Sequence, residues 1–129
     1  LSNVEIKGGT LGDIMKQLGV TTEAEVLEAT KTAGKTTSQK VVKILKGTSP
    51  KNRGKYARSW KVKQEGSAFI VYNEQAGLTH LLENGHDVVR GGRKVGRAPA
   101  HPHIKPAEEE GKALFVEEVI KEVERRLAK

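Results

Sequence analysis

The chain has 129 residues, enough for one domain with its own core. It has no cysteine, which excludes disulfide stapling and thiolate metal sites, and no apolar run approaches the roughly 20 residues of a membrane-spanning helix. Only 36% of residues are hydrophobic, so the core is expected to be thin and aliphatic, and the net charge of +7 is laid out unevenly: residues 29–64 hold 11 Lys/Arg and no Asp/Glu.

Residues 1–10 read as an N-terminal arm ending in Gly8-Gly9-Thr10. Leu11, Ile14, Met15 and Leu18 fall on one stripe and predict a short helix over 11–18, stopped by Gly19. Thr22-Glu23-Ala24-Glu25 has the spacing of a capping box and predicts a long helix running to about residue 46. Its inner stripe is Val26, Ala29/Thr30, Ala33, Thr37, Val41 and Ile44/Leu45, and the small residues in the middle point to close approach of another element. Gly34 costs that helix about 1 kcal/mol against alanine.

Residues 48–55 form a polar loop with turn signals, and residues 57–64 then alternate, with Trp60 and Val62 on one face. A turn at Glu65-Gly66-Ser67 joins them to a partner strand over 68–73, which makes a β-hairpin. A short helix over 78–84 is closed by Gly85. Residues 86–102, rich in glycine, arginine and proline, are expected to be a flexible loop, with a strand through Asp87-Val88-Val89-Arg90 left open. Pro106 then opens a last helix, with Glu108, Glu109 and Glu110 at its positive end and Arg125 and Arg126 at its negative end. Its expected apolar stripe is Ala113, Val116, Ile120, Val123 and Leu127. The elements add up to a single α+β domain over residues 1–129: a small antiparallel sheet packed by a long N-terminal helix and a C-terminal helix.

Chemistry is poorly supported. Residues 29–36 spell a relaxed phosphate-loop pattern, but they lie in a capped helix, not after a buried strand, and no magnesium ligand follows. His86, His101 and His103 could hold zinc only without a cysteine or a second acid to help, and are expected to decorate a loop. Glu83, His86 and Ser59 form no recognisable catalytic pairing, so the expectation is no enzyme, no metal and no cofactor. The candidate interaction residues are cations: Arg58, Lys61 and Lys63 on the hairpin, and Arg90, Arg93, Lys94 and Arg97 in the loop. Guanidinium and ammonium groups so placed suit either a neighbouring acidic subunit or DNA phosphates. A dedicated nucleic-acid module is the alternative, weakened because most of Tyr56, Trp60, Phe69, Tyr72 and Phe115 are needed for the core.

Five pieces in series carry a resemblance: Tyr56-Ala57-Arg58-Ser59-Trp60, then Val71-Tyr72-Asn73, then Leu78-Thr79-His80-Leu81-Leu82-Glu83-Asn84-Gly85-His86, then Gly91-Gly92-Arg93 with Val95-Gly96-Arg97, and Pro102-His103-Ile104-Lys105-Pro106-Ala107. In this order they resemble the neck, minor capsid or tail-completion proteins of tailed bacteriophages, the gp-ten-like proteins of the HK-type siphophages. The resemblance implies an α+β fold without catalytic residues. It implies self-association into a ring in the neck, between head-side adaptor or portal proteins and tail terminator proteins, with non-specific contact to packaged DNA and no membrane. It also implies synthesis in the host cytoplasm and a place in the virion.

Overall fold

A computed structural model describes residues 3–6, 23–51 and 54–127. In chain order the elements are β1 (Val4–Ile6), α1 (Glu23–Thr48), α2 (Lys55–Arg58), β2 (Trp60–Glu65), β3 (Ala68–Asn73), α3 (Ala76–Asn84), β4 (His86–Arg90), β5 (Arg93–Ala98) and α4 (Ile104–Leu127). The expected helix over 11–18 and the Thr22 cap lie outside the described residues.

The α+β architecture is as expected. β3 is central in a three-stranded antiparallel sheet of order β1-β3-β2, and β4 and β5 form a separate two-stranded ribbon. Register sorts the sheet faces: Val4 pairs with Val71, Ile6 with Phe69, and Val71 with Val62, so these side chains share the inner face with Trp60. Lys61, Lys63, Ile70 and Tyr72 alternate onto the outer face, as in an antiparallel sheet with one side in water.

Helices α1 and α4 cover the inner face. Ala29, Ala33, Val41 and Leu45 of α1 meet Ile104, Ala107, Phe115, Val119 and Val123 of α4 around the buried Val4, Ile6, Trp60, Phe69 and Val71. The small residues in the middle of α1 let these layers close. A Cβ on Gly34 would stand 2.9 Å from the Phe69 ring, and one on Gly111 of α4 would stand 3.0 Å from Val41, so both helices have a hole where a neighbour inserts. Across the same seam, Lys40 of α1 pairs with Glu118 of α4, and that ammonium holds the Glu118 carboxyl below its ordinary range.

Four expectations need correction. Part of the arm, Val4–Ile6, is an edge strand, because Val4 and Ile6 complete the apolar inner face beside β3. Arg58 is on the helical turn α2, since the first strand starts only at Trp60. Residues 86–98, read as a loop with at most one strand through 87–90, form the paired β4–β5 ribbon. Gly91 and Gly92 both adopt positive φ, so they make the hairpin turn instead of interrupting regular structure. Finally, α4 is rotated from its expected register. Val123 is buried, but Ala113, Val116 and Ile120 face out, and the buried row runs through Ala107, Gly111, Phe115 and Val119.

Candidate interaction surface

The site begins where α3 ends and α4 begins. Gly85 leaves α3 with φ 74°, and a Cβ there would meet the Ala98 carbonyl oxygen at 2.7 Å and the Ala100 nitrogen at 2.9 Å. Only glycine fits this crossing, which brings the two ends of the ribbon together. The His101 N–H donates to the Leu82 carbonyl at 2.7 Å and closes the root.

One turn further, Glu83 caps α4 from outside that helix. Its Oε1 accepts from the N–H of His103 at 2.8 Å and of Ile104 at 2.9 Å, and its Oε2 accepts from the N–H of Lys105 at 3.1 Å. These are the orphan donors of the first turn, and the carboxylate also faces the positive end of the helix dipole. Burial pushes the Glu83 pKa up, but the three N–H donors, with His103 beside them, outweigh it and hold the group below its ordinary range.

His103 continues the network. Its Nδ1 faces two acceptors, the His101 carbonyl at 2.7 Å and Glu83 Oε1 at 3.0 Å, so Nδ1 carries a proton. In the neutral tautomer Nε2 accepts from the Tyr56 hydroxyl at 2.7 Å. Burial raises the Tyr56 pKa and keeps that hydroxyl protonated. Trp60 packs edge-on against Tyr56 and donates Nε1–H to Ser49 Oγ at 2.8 Å, and Asn73 ties its Nδ2 to the Tyr56 carbonyl at 2.8 Å. His103 was expected to decorate a loop, but it is 2% exposed, and both ring nitrogens are occupied within the protein. The Tyr–His–Glu series is thus committed to fixing α3 against α4, and Glu83 serves the helix cap, not His86. Sequence reading missed this because a capping carboxylate is normally sought next to its helix, not 20 residues upstream.

On this root stands the ribbon. Asp87 pairs with Arg97 and Val88 with Gly96, then a bulge displaces the register before Val89 meets Lys94 and Arg90 meets Arg93. Asp87, Val89, Lys94 and Arg97 share one face. There Asp87 takes Lys94 at 3.3 Å and Arg97 at 3.2 Å, while Arg97 also donates to the Asn84 carbonyl at 3.2 Å. Arg97 and Lys94 are therefore held along the ribbon. Arg90 and Arg93, paired across the turn, have no acidic partner among the described residues.

The other candidates belong to the main sheet. Lys61 and Lys63 lie on its outer face, with the Lys63 ammonium 5.5 Å from the Tyr72 ring centroid and 3.2 Å from Glu65. Arg58 is exposed on α2, its guanidinium over Gly54. The seven cations thus divide between the sheet side and the ribbon. The stretch resembling a phosphate loop is interior to α1, so its N–H groups serve the helix.

No helix among the described residues is long and apolar enough to cross a membrane. No curated protein and no solved structure gives a significant match. A family model described as "Bacteriophage HK97-gp10, putative tail-component" matches residues 12–85, which include α1, the hairpin β2–β3 and α3 and stop at the root of the ribbon. With more than half of its length matched, the chain belongs to the HK97-gp10-like family of phage tail-component proteins, structural parts of the virion.

Proposed function

We propose that this subunit works in the phage neck, where copies form an oligomeric ring joining the DNA-filled head to the tail. Membership of a tail-component family supplies the setting. The observation that carries the finer reading is the β4–β5 ribbon: a basic, exposed finger fixed at its root by Gly85, His101 and the Glu83 cap, with Arg90 and Arg93 at its tip. A finger so anchored presents charge to a neighbour at a defined place, at little entropic cost to the body. Head-side adaptor or portal proteins and tail terminator proteins are the flanking partners in this reading.

A separate role as a nucleic-acid module has less support. Tyr56, Trp60, Phe69 and Phe115 are all buried, and Tyr72 lies under Lys63, so no aromatic platform is offered to bases. Contact with packaged DNA would be electrostatic and independent of sequence.

The test is electron microscopy of lysates from a phage or prophage lacking this gene. The expected result is DNA-filled heads beside separate, complete tails. Intact, infective particles would overturn the neck assignment.

A further inference from the structure

Sorting the acids of α4 by partner isolates one face. Glu108 pairs with Lys112, Glu118 with Lys40 and Lys121, and Glu122 with Arg125 and Arg126. Glu109, Glu110, Glu117 and Glu124 are exposed and have no cationic partner among the described residues. They flank Ala113, Val116 and Ile120 on the outward side of the helix, where Val116 is 41% and Ile120 40% exposed. The result is a strip with an apolar middle and carboxylates beside it that no element of the described chain covers.

The ribbon is its counterpart. Arg90 and Arg93 alternate onto the face opposite Asp87, Val89, Lys94 and Arg97, and Val95, which the bulge leaves without a register partner, is 57% exposed two residues from Arg93. Two cations without an acidic partner among the described residues, with the exposed Val95 on the same element, match carboxylates without a cationic partner beside a valine and an isoleucine on another. Water is a poor environment for the apolar groups of both elements, and opposite charges fix which way they meet.

We propose that the outer face of α4 is the receptor for the β4–β5 ribbon of a second copy of this chain. The contact is heterologous: ribbon of one protomer, helix of the next. Each added copy leaves one ribbon and one helix face free, so the series is completed only by closing into a ring. The inference rests on the ring reading above and gives it an interface.

The test uses the absence of cysteine. Arg93→Cys and Glu117→Cys are introduced singly and together in the full chain, and the purified, concentrated proteins are oxidised. A ladder of dimers, trimers and higher species from the double variant alone is expected. A dimer from either single variant, signifying a symmetric contact, or no ladder from the double variant would overturn the proposal. Charge reversal guards against an unlucky cysteine geometry. R90E/R93E and E117K/E124K should each weaken self-association at least tenfold by analytical ultracentrifugation, and their equimolar mixture should restore it. Failure of the mixture to associate, or loss of DNA binding with self-association unchanged in R90E/R93E, would assign the ribbon elsewhere. A ladder with fully infective particles from the deletion would retain this interface and reject the neck role. Lost joining without a ladder or restored association would do the reverse.

Discussion

At Glu83 a single carboxylate accepts three backbone hydrogen bonds at the start of a helix that begins some 20 residues further on. Its pKa is depressed on folding, so its stabilising contribution is complete above the unfolded carboxylate range and is lost as pH falls through the folded value. Glu83→Gln keeps the shape but removes the charge facing the helix dipole. It should cost about 1–2 kcal/mol at pH 7 in urea unfolding. The gap between variant and wild type should begin to narrow below about pH 4.5, where the unfolded carboxyl takes up its proton, and should close only as pH falls through the lower folded value. The two helical glycines of α1 give an opposing pair of outcomes. Gly34→Ala forces a methyl against Phe69 and should destabilise by about 1–3 kcal/mol despite better helix propensity. At Gly47, where nothing lies within 4 Å of an added Cβ, alanine should stabilise by about 0.5–1 kcal/mol, read from the same urea curves.

The ribbon and the helices show how far periodicity carries an element. The long helix, the β2–β3 hairpin and α3 were legible because apolar spacing, turn glycines and length agreed. The last helix was legible in extent but not in rotation. Its buried row passes through Ala107 and Gly111, which add little hydrophobicity and are inside because small residues permit close approach. Val116 and Ile120 carry the stronger apolar signal yet face outward, consistent with a surface meant for something else. Residues 86–98 failed as a strand pair on paper because glycine and arginine dilute the alternation and a bulge breaks it. The cations of the candidate surface were plain in the sequence. That Lys94 and Arg97 are held by Asp87 while Arg90 and Arg93 have no acidic partner among the described residues depends on register, which composition does not encode. A two-stranded ribbon standing largely in water is marginal by itself. Amide hydrogen exchange should therefore be fast in β4 and β5 and slow in β3, which is flanked on both sides and buries Phe69 and Val71. Equal protection in the two would indicate that the free chain already covers the ribbon.

Taken whole, the described residues leave the sheet edges poorly suited to strand addition, so the proposed association would run through side chains. Among the described residues the sheet ends on a three-residue strand at one edge and on β2, with Lys61 and Lys63, at the other. Short and lysine-bearing edges discourage strand addition from a neighbouring chain. The charges follow the same division. The basic middle of the chain is shared among α1, α2 and the outer face of the sheet, α4 carries exposed acids without a cationic partner among the described residues, and the ribbon carries Arg90 and Arg93 at its turn. An isolated subunit therefore retains complementary surfaces, which fits a part whose remaining apolar burial comes from its neighbours.

The closed root of the ribbon has a consequence for how such a protein can change. His86 and Ala98 lie opposite each other, and the chain re-enters the body beside the point where it left. Lengthening, shortening or replacing the finger in register therefore leaves Glu83, His103 and α4 where they are. The body can be inherited while the finger is renewed. The ribbon leaves that body at Gly85 and returns to it at His101, so its length and tip can change with the docking partner while both ends stay fixed.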